Sequence, residues 1–239
     1  MIFDSLIKNS NSVLDLILDY QGYNKNLLIT YFNQHCYNLY MNSSEYKYVI
    51  DKKFYTYLDG IGVFLALKFL EFPNVQKFNA SDLNEKIFKH LIELKRKVYL
   101  VGGNFVTGDI KEFEKKGINI CGYQQGYFKL EKEKEILINI QKSNPDVIIV
   151  GMGVPKQEIF SARLNDFLEN KKIICVGNFL EFYIGKIKRI PKPLRNIGIE
   201  WLFRLITEPK RLWKRYIWGI PKFIFLILSL RLKYTGKYI

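Results

Sequence analysis

Short hydrophobic runs alternate with longer amphipathic segments over the first 176 residues. Runs rich in β-branched and aromatic residues predict six strands, at 26–32, 53–58, 97–101, 117–122, 145–150 and 172–176. Segments with the helical period predict helices at 13–20, 33–41, 63–71, 81–95, in the segment that follows Gly103 and ends at about 115, and at 131–142. Strands that alternate with helices of this length predict an α/β fold: a Rossmann-like parallel sheet with helices on both faces.

The stretch PDVIIVGMGVPKQEIF, residues 145–160, combines a buried strand, a glycine turn and a helix start. Gly151 allows the backbone to approach a ligand closely, and Pro155 suits the first turn of a helix. Gln157 and Glu158 then lie in that first turn, within reach of anything bound at the loop. Such a loop is a natural anion site. An ordinary strand-to-helix connection would show the same pattern, so both interpretations stay open.

Ligands of parallel sheets bind at the carboxyl ends of the strands. The residues that the pattern places there are Asn33, Asp59, Gly102, Gly151 and Gly177. Asp59 is the best candidate for a catalytic group, because a carboxylate at this edge can remove a proton from a sugar hydroxyl. The alternative is that Asp59 caps the following helix, and the pattern by itself favours the cap.

Charge is unevenly distributed along the 239 residues. The formal net charge is +14, and residues 185–239 contribute +12 of it, from 14 Lys/Arg against 2 Asp/Glu. All three tryptophans lie in the same segment. A basic, tryptophan-containing tail on a nearly neutral body predicts a polyanionic partner, either anionic lipid or nucleic acid.

The tail predicts a basic amphipathic helix, with Thr207 as its cap and Pro209 in its first turn. The residues on its apolar arc are Leu212, Trp213, Tyr216, Ile217 and Ile220, and those on its basic arc are Arg211, Lys214, Arg215 and Lys222. This pattern is typical of membrane-surface helices. The alternative is a helix packed on the sheet with its basic face in solvent. The apolar run 223–230 is too short to span a bilayer. We therefore divide the chain into a body, 1–194, and a membrane-associating appendage, 195–239.

Several classes of site are disfavoured. The chain has neither a GxxxxGK[ST] loop nor a GxGxxG loop, which argues against ATPase and dinucleotide sites. His35 and His90 are the only histidines, and neither has metal-ligand spacing to a cysteine or carboxylate. The chain also lacks a D-x-D pair, so we predict no metal and no cofactor. Three widely spaced cysteines and the absence of a signal peptide predict a cytoplasmic protein with reduced thiols.

Three stretches together resemble the WecG/TagA/CpsF glycosyltransferase family. They are LDGIGVFLALKFL (58–70), PDVIIVGMGVPKQEIF (145–160) and GKIKRIPKPLRNIGIEWLFRLITEPKRLWKRY (185–216). VYLVGGN (98–104) and GYF (126–128) fit in the same order. The resemblance extends from about residue 28 to residue 223 and so covers most of the chain.

The resemblance implies an inverting, metal-independent transferase. Such an enzyme moves an N-acetylhexosamine-type sugar, such as N-acetylmannosamine, from a UDP-sugar to a polyprenyl-diphosphate-linked sugar in cell-surface polysaccharide biosynthesis. The resemblance also implies that the protein binds peripherally to the inner face of the plasma membrane. It implies that the protein self-associates and that it does not bind nucleic acid.

The resemblance also assigns roles to residues. Asp59 matches the catalytic base. The residues expected to bind substrate are Thr30, Tyr31, Asn33, Lys77, Asp82, Gly102, Gly103, Gly151, Gln157, Glu158 and Glu181. Arg204, Arg211 and Lys214 match basic positions that meet the lipid diphosphate, and Arg215 joins this group.

The chain also departs from the family pattern. Tyr31 stands where the pattern has Thr, and Leu58 where it has Pro. Lys77 and Ala80 replace Arg and Gly, and the pattern G-G-A-F-D-F reads Gly177-Asn178-Phe179-Leu180-Glu181-Phe182. We therefore expect a pocket reshaped around the sugar. Two alternatives stay open: a family member that binds lipid-linked sugar without turnover, which Tyr31 favours, and a nucleic-acid-binding protein, which only the basic tail favours.

Overall fold

The computed structural model describes residues 2–20, 25–188 and 200–235, and its centre is a parallel sheet. The strands are β1 (Leu27–Phe32), β2 (Tyr55–Leu58), β3 (Lys97–Gly102), β4 (Asn119–Gln124), β5 (Val147–Gly151) and β6 (Lys172–Cys175). Their order across the sheet is β2-β1-β6-β5-β3-β4, and all neighbours run parallel. The predicted parallel α/β fold is confirmed, although β4 begins two residues later than the predicted strand.

Helices cover the sheet. In chain order they are α1 (Ile2–Ser5), α2 (Ser10–Asp19), α3 (Gln34–Asn42), α4 (Ser44–Lys53), α5 (Gly60–Phe69), α6 (Ala80–Glu93), α7 (Thr107–Lys115), α8 (Glu133–Ser143), α9 (Lys156–Asn165), α10 (Phe179–Tyr183), α11 (Glu200–Thr207), α12 (Pro209–Trp213) and α13 (Gly219–Thr235). A 3₁₀ turn, Leu130–Lys132, precedes α8, and a π-helical segment, Lys214–Trp218, joins α12 to α13.

The central strands are apolar because both of their faces are buried. In β5, Ile148 and Val150 face a cluster that includes residues of α8 and α9. Val147 and Ile149 face the opposite cluster, which includes residues of α2 and α6. Alternate side chains of a strand point to opposite faces, so a strand between two helical layers reads as a continuous hydrophobic run.

A third hydrophobic cluster joins the two ends of the chain. It contains Phe3 of α1, Tyr37 of α3 and Val63 of α5, together with Phe223 and Ile227 of α13. The rings of Tyr37 and Phe223 meet edge to face at 5.6 Å. The last helix therefore packs directly on α3. The predicted boundary between residues 194 and 195 lies outside the described residues, and the division into two domains stays a prediction.

Helix α4 was not predicted, and it changes the start of the second strand. Ser43 accepts a hydrogen bond from the backbone N–H of Tyr46 at 3.2 Å and so caps this helix. Tyr46, Val49 and Ile50 form its buried face. The predicted strand 53–58 is consequently wrong at its start, since Lys53 ends the helix and β2 begins at Tyr55.

The basic helix of the tail begins at Pro209, close to its predicted start, but its segment Lys214–Trp218 is π-helical and not α-helical. Thr207 ends α11, and its hydroxyl donates to the carbonyl of Phe203 at 3.0 Å. Glu208 holds the N-cap position before Pro209, so the predicted Thr207 cap is wrong. Within residues 2–20, 25–188 and 200–235, no helix has the length and apolar character needed to cross a membrane.

Candidate active site

Three adjoining cavities open at the carboxyl ends of the strands. The Asp59 cavity, about 430 Å³, is lined by Tyr31, Asn33, Asp59, Lys77, Asp82, Asn178, Arg204 and Arg215, among others. The glycine cavity, about 340 Å³, is lined by Gly103, Gly151, Gly153, Gly177, Asn178, Glu181 and Glu208, among others. The basic cavity, about 500 Å³, is lined by His35, Asn38, Asn178, Lys214, Arg215, Trp218 and Lys222, among others. Volumes of this size suit small-molecule ligands.

Asp59 holds the N-cap position of α5, but its side chain makes no capping hydrogen bond there. Its Oδ1 instead accepts from the backbone N–H of Ala80 at 2.9 Å, at the start of α6. Its Oδ2 accepts from the side-chain amide of Asn33 at 3.3 Å. The carboxylate is thus held between β1, α5 and α6 at the cavity wall. An aspartate that only capped α5 would not make these two contacts.

The carboxamide of Asn33 is oriented by the start of α3. Its Oδ1 accepts from the backbone N–H groups of His35 and Cys36, at 3.1 and 3.2 Å, which caps this helix. With the oxygen fixed by two donors, the amide nitrogen is left to point at Asp59. Asn33 therefore serves both the helix and the carboxylate.

Arg215 reaches this pair from the far end of the chain. Its guanidinium donates to Asn33 Oδ1 at 3.4 Å, a long contact, and it lies in the wall between the Asp59 cavity and the basic cavity. Arg215 belongs to the π-helical segment Lys214–Trp218, and such segments are frequent at functional sites. Burial, and then the nearby Arg215, lowers the pKa of His35 to about 4, so this imidazole is neutral at neutral pH.

Gln157 and Glu158 are fully buried behind the cavities. The Gln157 side chain accepts from the backbone N–H of Gly177 at 3.1 Å and donates to Glu158 at 2.8 Å. The same Glu158 oxygen accepts from the Thr30 hydroxyl at 2.7 Å. These three residues thus tie β1 and α9 to the loop after β6. Their predicted role as direct substrate ligands stays a prediction.

We expect the Glu158→Gln variant to gain stability relative to the wild type as pH rises. Burial raises the pKa of Glu158 to about 7, although hydrogen bonds from Gln157 and Thr30 oppose this shift. A carboxyl whose folded pKa lies above its unfolded value stabilises the fold below the unfolded pKa, and this advantage is lost as pH rises through about 7. Between pH 5 and pH 8 the free energy of unfolding of Glu158→Gln should therefore rise by roughly 2–3 kcal/mol relative to that of the wild type.

Urea unfolding of both proteins at the two pH values measures this difference. Glu169→Gln is the matched control, because it makes the same substitution at an exposed position. A difference between wild type and Glu158→Gln that stays constant from pH 5 to pH 8 would contradict the prediction.

The close approach of neighbouring backbone segments explains why glycines occupy the strand ends. A side chain on Gly102 would strike the carbonyl of Gly151, and one on Gly151 would lie 2.7 Å from the carbonyl of Gly177. Gly153 differs, since it has a φ of +78° and open space where a Cβ would be. Close approach of three strand ends thus builds the floor of the glycine cavity.

Tyr31 stands between two of the cavities. It lines both the Asp59 cavity and the basic cavity, and its hydroxyl lies 2.6 Å from where a Cβ of Gly177 would be. Burial raises the pKa of this hydroxyl well above its ordinary value, so it stays protonated and can donate a hydrogen bond.

The sequence pattern of the Glycosyl transferase WecG/TagA/CpsF family matches residues 2–237. The chain belongs to this family of glycosyltransferases. It is also similar to an N-acetylglucosaminyldiphosphoundecaprenol N-acetyl-beta-D-mannosaminyltransferase from Bacillus spizizenii. The identity is 29% over 206 residues, which cover 82% of this chain and 79% of the relative.

This glycosyltransferase brings most of the predicted site residues to one edge of its sheet. Tyr31, Asn33, Asp59, Lys77, Asp82, Gly103, Gly151, Glu181, Arg204, Lys214 and Arg215 line the three cavities. Thr30, Gly102, Gln157 and Glu158 lie directly behind them. The placement of the Arg211 side chain lies outside what the structure describes. Among the described residues, no group of three or more His, Cys, Asp or Glu could hold a metal ion.

Sequence reasoning did not assign several residues that line these cavities. Glu208 enters the glycine cavity, and Asn38, Trp218 and Lys222 line the basic cavity. Asn178 lines all three cavities. The signal for Asn178 was present, since it follows a predicted strand directly after Gly177 and departs from the family pattern.

Proposed function

We propose that the protein transfers an N-acetylhexosamine-type sugar, with inversion, from a UDP-sugar to a polyprenyl-diphosphate-linked sugar in cell-surface polysaccharide biosynthesis. The observation that carries this proposal is Asp59, held at the wall of a cavity that it shares with three cations, Lys77, Arg204 and Arg215. The name of the Bacillus spizizenii relative supports the lipid-linked acceptor, because that protein acts on N-acetylglucosaminyldiphosphoundecaprenol.

The proposed reaction is a direct displacement. Asp59 takes the proton of the acceptor hydroxyl while the hydroxyl oxygen attacks the anomeric carbon of the donor sugar. The bond between that carbon and the UDP oxygen breaks on the opposite face, so the configuration inverts and UDP leaves with its electron pair. We propose that Arg204, which lines the same cavity as Asp59, stabilises the charge that develops on the diphosphate of UDP. The cations could take the part that a metal plays elsewhere, and independence from metal stays a prediction.

The basic cavity suits the diphosphate of the acceptor. Lys214, Arg215 and Lys222 line it, and no carboxylate does so among the described residues. The buried Nε of Arg215 has no hydrogen-bond partner among those residues. Its N–H can donate to a phosphate oxygen.

We further propose that α13 lies on an anionic membrane, at the cytoplasmic face. One side of this helix packs in the core through Phe223 and Ile227. The opposite side exposes an apolar stripe, which consists of Ile224, Phe225, Leu228 and Leu232. A helix of this kind binds membranes in the plane of the interface. The membrane surface and self-association both stay proposals.

A donor panel tests the proposed activity. We expect one or more UDP-N-acetylhexosamines to release UDP when an N-acetylglucosamine diphosphate lipid is present, and turnover to persist in excess EDTA. Mass spectrometry of the lipid product should show one added hexose. Tight binding of the lipid without UDP release from any donor would favour the alternative of a non-catalytic binding protein. Loss of turnover in EDTA, restored by Mg²⁺ or Mn²⁺, would show that the metal-free mechanism is wrong.

A further inference from the structure

His35 lines the basic cavity with an imidazole that the hydrogen bonds of the fold do not use. It lies in the first turn of α3, two residues after Asn33, and it is half-buried. Its backbone N–H donates to Asn33 at 3.1 Å, but its side chain makes no hydrogen bond or ion pair with the residues that the structure describes. Both ring nitrogens therefore remain for a ligand of this cavity.

The charged side chains that line the basic cavity are all cations, within the described part of the chain. Lys214 and Arg215 come from the π-helical segment, and Lys222 comes from α13. Lys214 and Lys222 are exposed, whereas Arg215 is half-buried, as His35 is. The hydroxyl of Tyr31, from β1, is protonated and carries no charge. A cavity with this charge distribution attracts an anion.

The carboxylates of this part of the fold lie in other surroundings. Asp59 lines the neighbouring cavity, and Glu158 is buried behind β1, where it bonds to Thr30. Helices α4, α5 and α13 pack on α3, but among their described residues only Lys222 brings a charge to the lining of the basic cavity. The charged residues of α4 and α5 are Glu45, Lys47, Asp51, Lys52, Lys53 and Lys68. The cations beside His35 thus have no carboxylate with them in the described lining of this cavity.

The charge around His35 couples its protonation to the binding of an anion. Burial, and then the nearby Arg215, lowers the pKa of the imidazole to about 4, so the ring is neutral at neutral pH in the protein alone. A negative charge within about 4–6 Å acts in the opposite direction, because it favours the protonated ring. An anion bound in the basic cavity should thus raise the pKa of His35, and the proton that enters adds a donor to the site.

We propose that His35 is a phosphate ligand of the basic cavity and takes up one proton from solvent when the acceptor diphosphate binds there. This inference rests on the proposed function, which assigns the acceptor diphosphate to the same cavity. The imidazolium donates a charge-assisted hydrogen bond to a phosphate oxygen, in the cavity that Arg215 also lines. The proton returns to solvent when the lipid product leaves, and no covalent bond changes in this step.

The affinity for the acceptor should therefore depend on pH. Because binding raises the pKa of His35, affinity should increase as pH falls toward the value of about 4 that this group has in the protein alone. Calorimetric titration with farnesyl N-acetylglucosaminyl diphosphate at pH 7.5 and pH 5 tests this linkage. Both phosphates of this diester keep one negative charge over this range, unlike a phosphate monoester, whose second pKa is about 6.

We expect the wild type to bind this diester about tenfold more tightly at pH 5 than at pH 7.5, whereas the affinity of His35→Gln should change less than about twofold. At pH 7.5 the two proteins should bind it within about threefold, because the imidazole is then largely neutral before binding and the glutamine amide can also donate to phosphate. Glu158, whose pKa is about 7, titrates in both proteins and so does not distinguish them.

His90→Gln is the matched control, and it should keep the tenfold dependence on pH. His90 is the other histidine of the chain, pairs with Glu93 on α6 at 3.1 Å and lines none of the three cavities. With only two histidines, NMR titration of ring signals in labelled wild type gives a direct measurement that needs no variant to fold. The diester should raise the pKa of His35 and leave that of His90 unchanged.

The outcomes separate this inference from the proposed function. A pKa of His35 that the diester does not raise, or equal pH dependence in wild type and His35→Gln, would overturn this inference while an active transferase upheld the function. Proton uptake by His35 in a wild type that binds the diester but transfers no sugar to it would overturn only the function. Absence of binding at both pH values would overturn the placement of the acceptor diphosphate in the basic cavity, and this inference with it.

Discussion

The Asp59→Asn variant should lose transfer activity while it keeps its fold and its affinity for UDP. Removal of a general base lowers kcat by roughly 10²–10⁴-fold. The asparagine oxygen can still accept from the backbone N–H of Ala80, which the aspartate does at 2.9 Å, so the start of α6 should keep its position. Initial rates of UDP release, measured with saturating lipid acceptor, test the loss. Circular dichroism and UDP titration test what should stay unchanged.

Asp51→Asn provides the matched control for this change. Asp51 accepts a hydrogen bond from the hydroxyl of Tyr40 at 2.9 Å, on α4, and it lines none of the three cavities. An asparagine there can keep that bond, and we expect activity close to wild type. A transfer rate of Asp59→Asn within about threefold of the wild-type rate would show that Asp59 is not the general base.

The position of Asp59 illustrates how far the sequence determines the site. A strand buried on both faces is recognisable from its unbroken apolar run, and its carboxyl end is where a parallel sheet binds ligands. The sequence placed both Asn33 and Asp59 at this edge, and the structure makes them neighbours, because β1 and β2 pair in parallel with Phe32 opposite Leu58. The contact from Ala80 was not predictable, since it depends on where the loop after α5 returns.

Arg215 shows where local periodicity fails. At about 100° per residue it falls on the basic arc of a regular α-helix, which predicted a place on a membrane-surface helix, whereas the resemblance grouped it with residues that meet the lipid diphosphate. The segment from Lys214 to Trp218 is π-helical, and Arg215 lies in the wall of the Asp59 cavity. A π-turn has no reliable sequence signal, because it arises from packing on the rest of the fold. Helix α4 was also missed, because its few apolar residues alternate with lysines and give only a weak helical pattern.

Gln157 and Glu158 show a different limit. The sequence placed them in the first turn of α9, and they do lie there. The side chains of one helical turn point to all sides of the helix, however, and these two point inward to Thr30 and Gly177. Proximity along the chain to a glycine loop therefore does not decide whether a residue meets the ligand or supports the loop from behind.

Substitution of two apolar residues on the exposed stripe of α13 should release the protein from anionic vesicles. Ile224, Phe225, Leu228 and Leu232 are 51, 69, 48 and 74% exposed, although all four are apolar. Basic residues flank the stripe, with Lys222 and Lys233 on one side and Arg231 on the other. This arrangement suits a helix whose apolar side enters the acyl boundary while its lysines meet lipid phosphates.

We expect the double variant Phe225→Glu, Leu228→Glu to lose about 3–4 kcal/mol of vesicle binding, or a few hundredfold in partitioning. Co-sedimentation with vesicles of mixed phosphatidylglycerol and phosphatidylcholine measures this. Wild-type binding should weaken in high salt, because lysine contacts are screened, but it should persist through apolar burial. Transfer to a polyprenyl acceptor in vesicles should fall with binding, whereas transfer to a short water-soluble acceptor should not.

Tyr48→Glu with Leu94→Glu is the matched control for this surface. Both residues are exposed, at 61 and 53%, but they lie on α4 and just after α6 and not on the stripe. This variant carries the same added charge, so it separates a local membrane contact from a general change in electrostatics. Equal loss of vesicle binding in both double variants would mean that net charge holds the protein to the vesicle. Unchanged binding in the Phe225, Leu228 variant would mean that the apolar stripe of α13 faces a protein partner or solvent and not the bilayer.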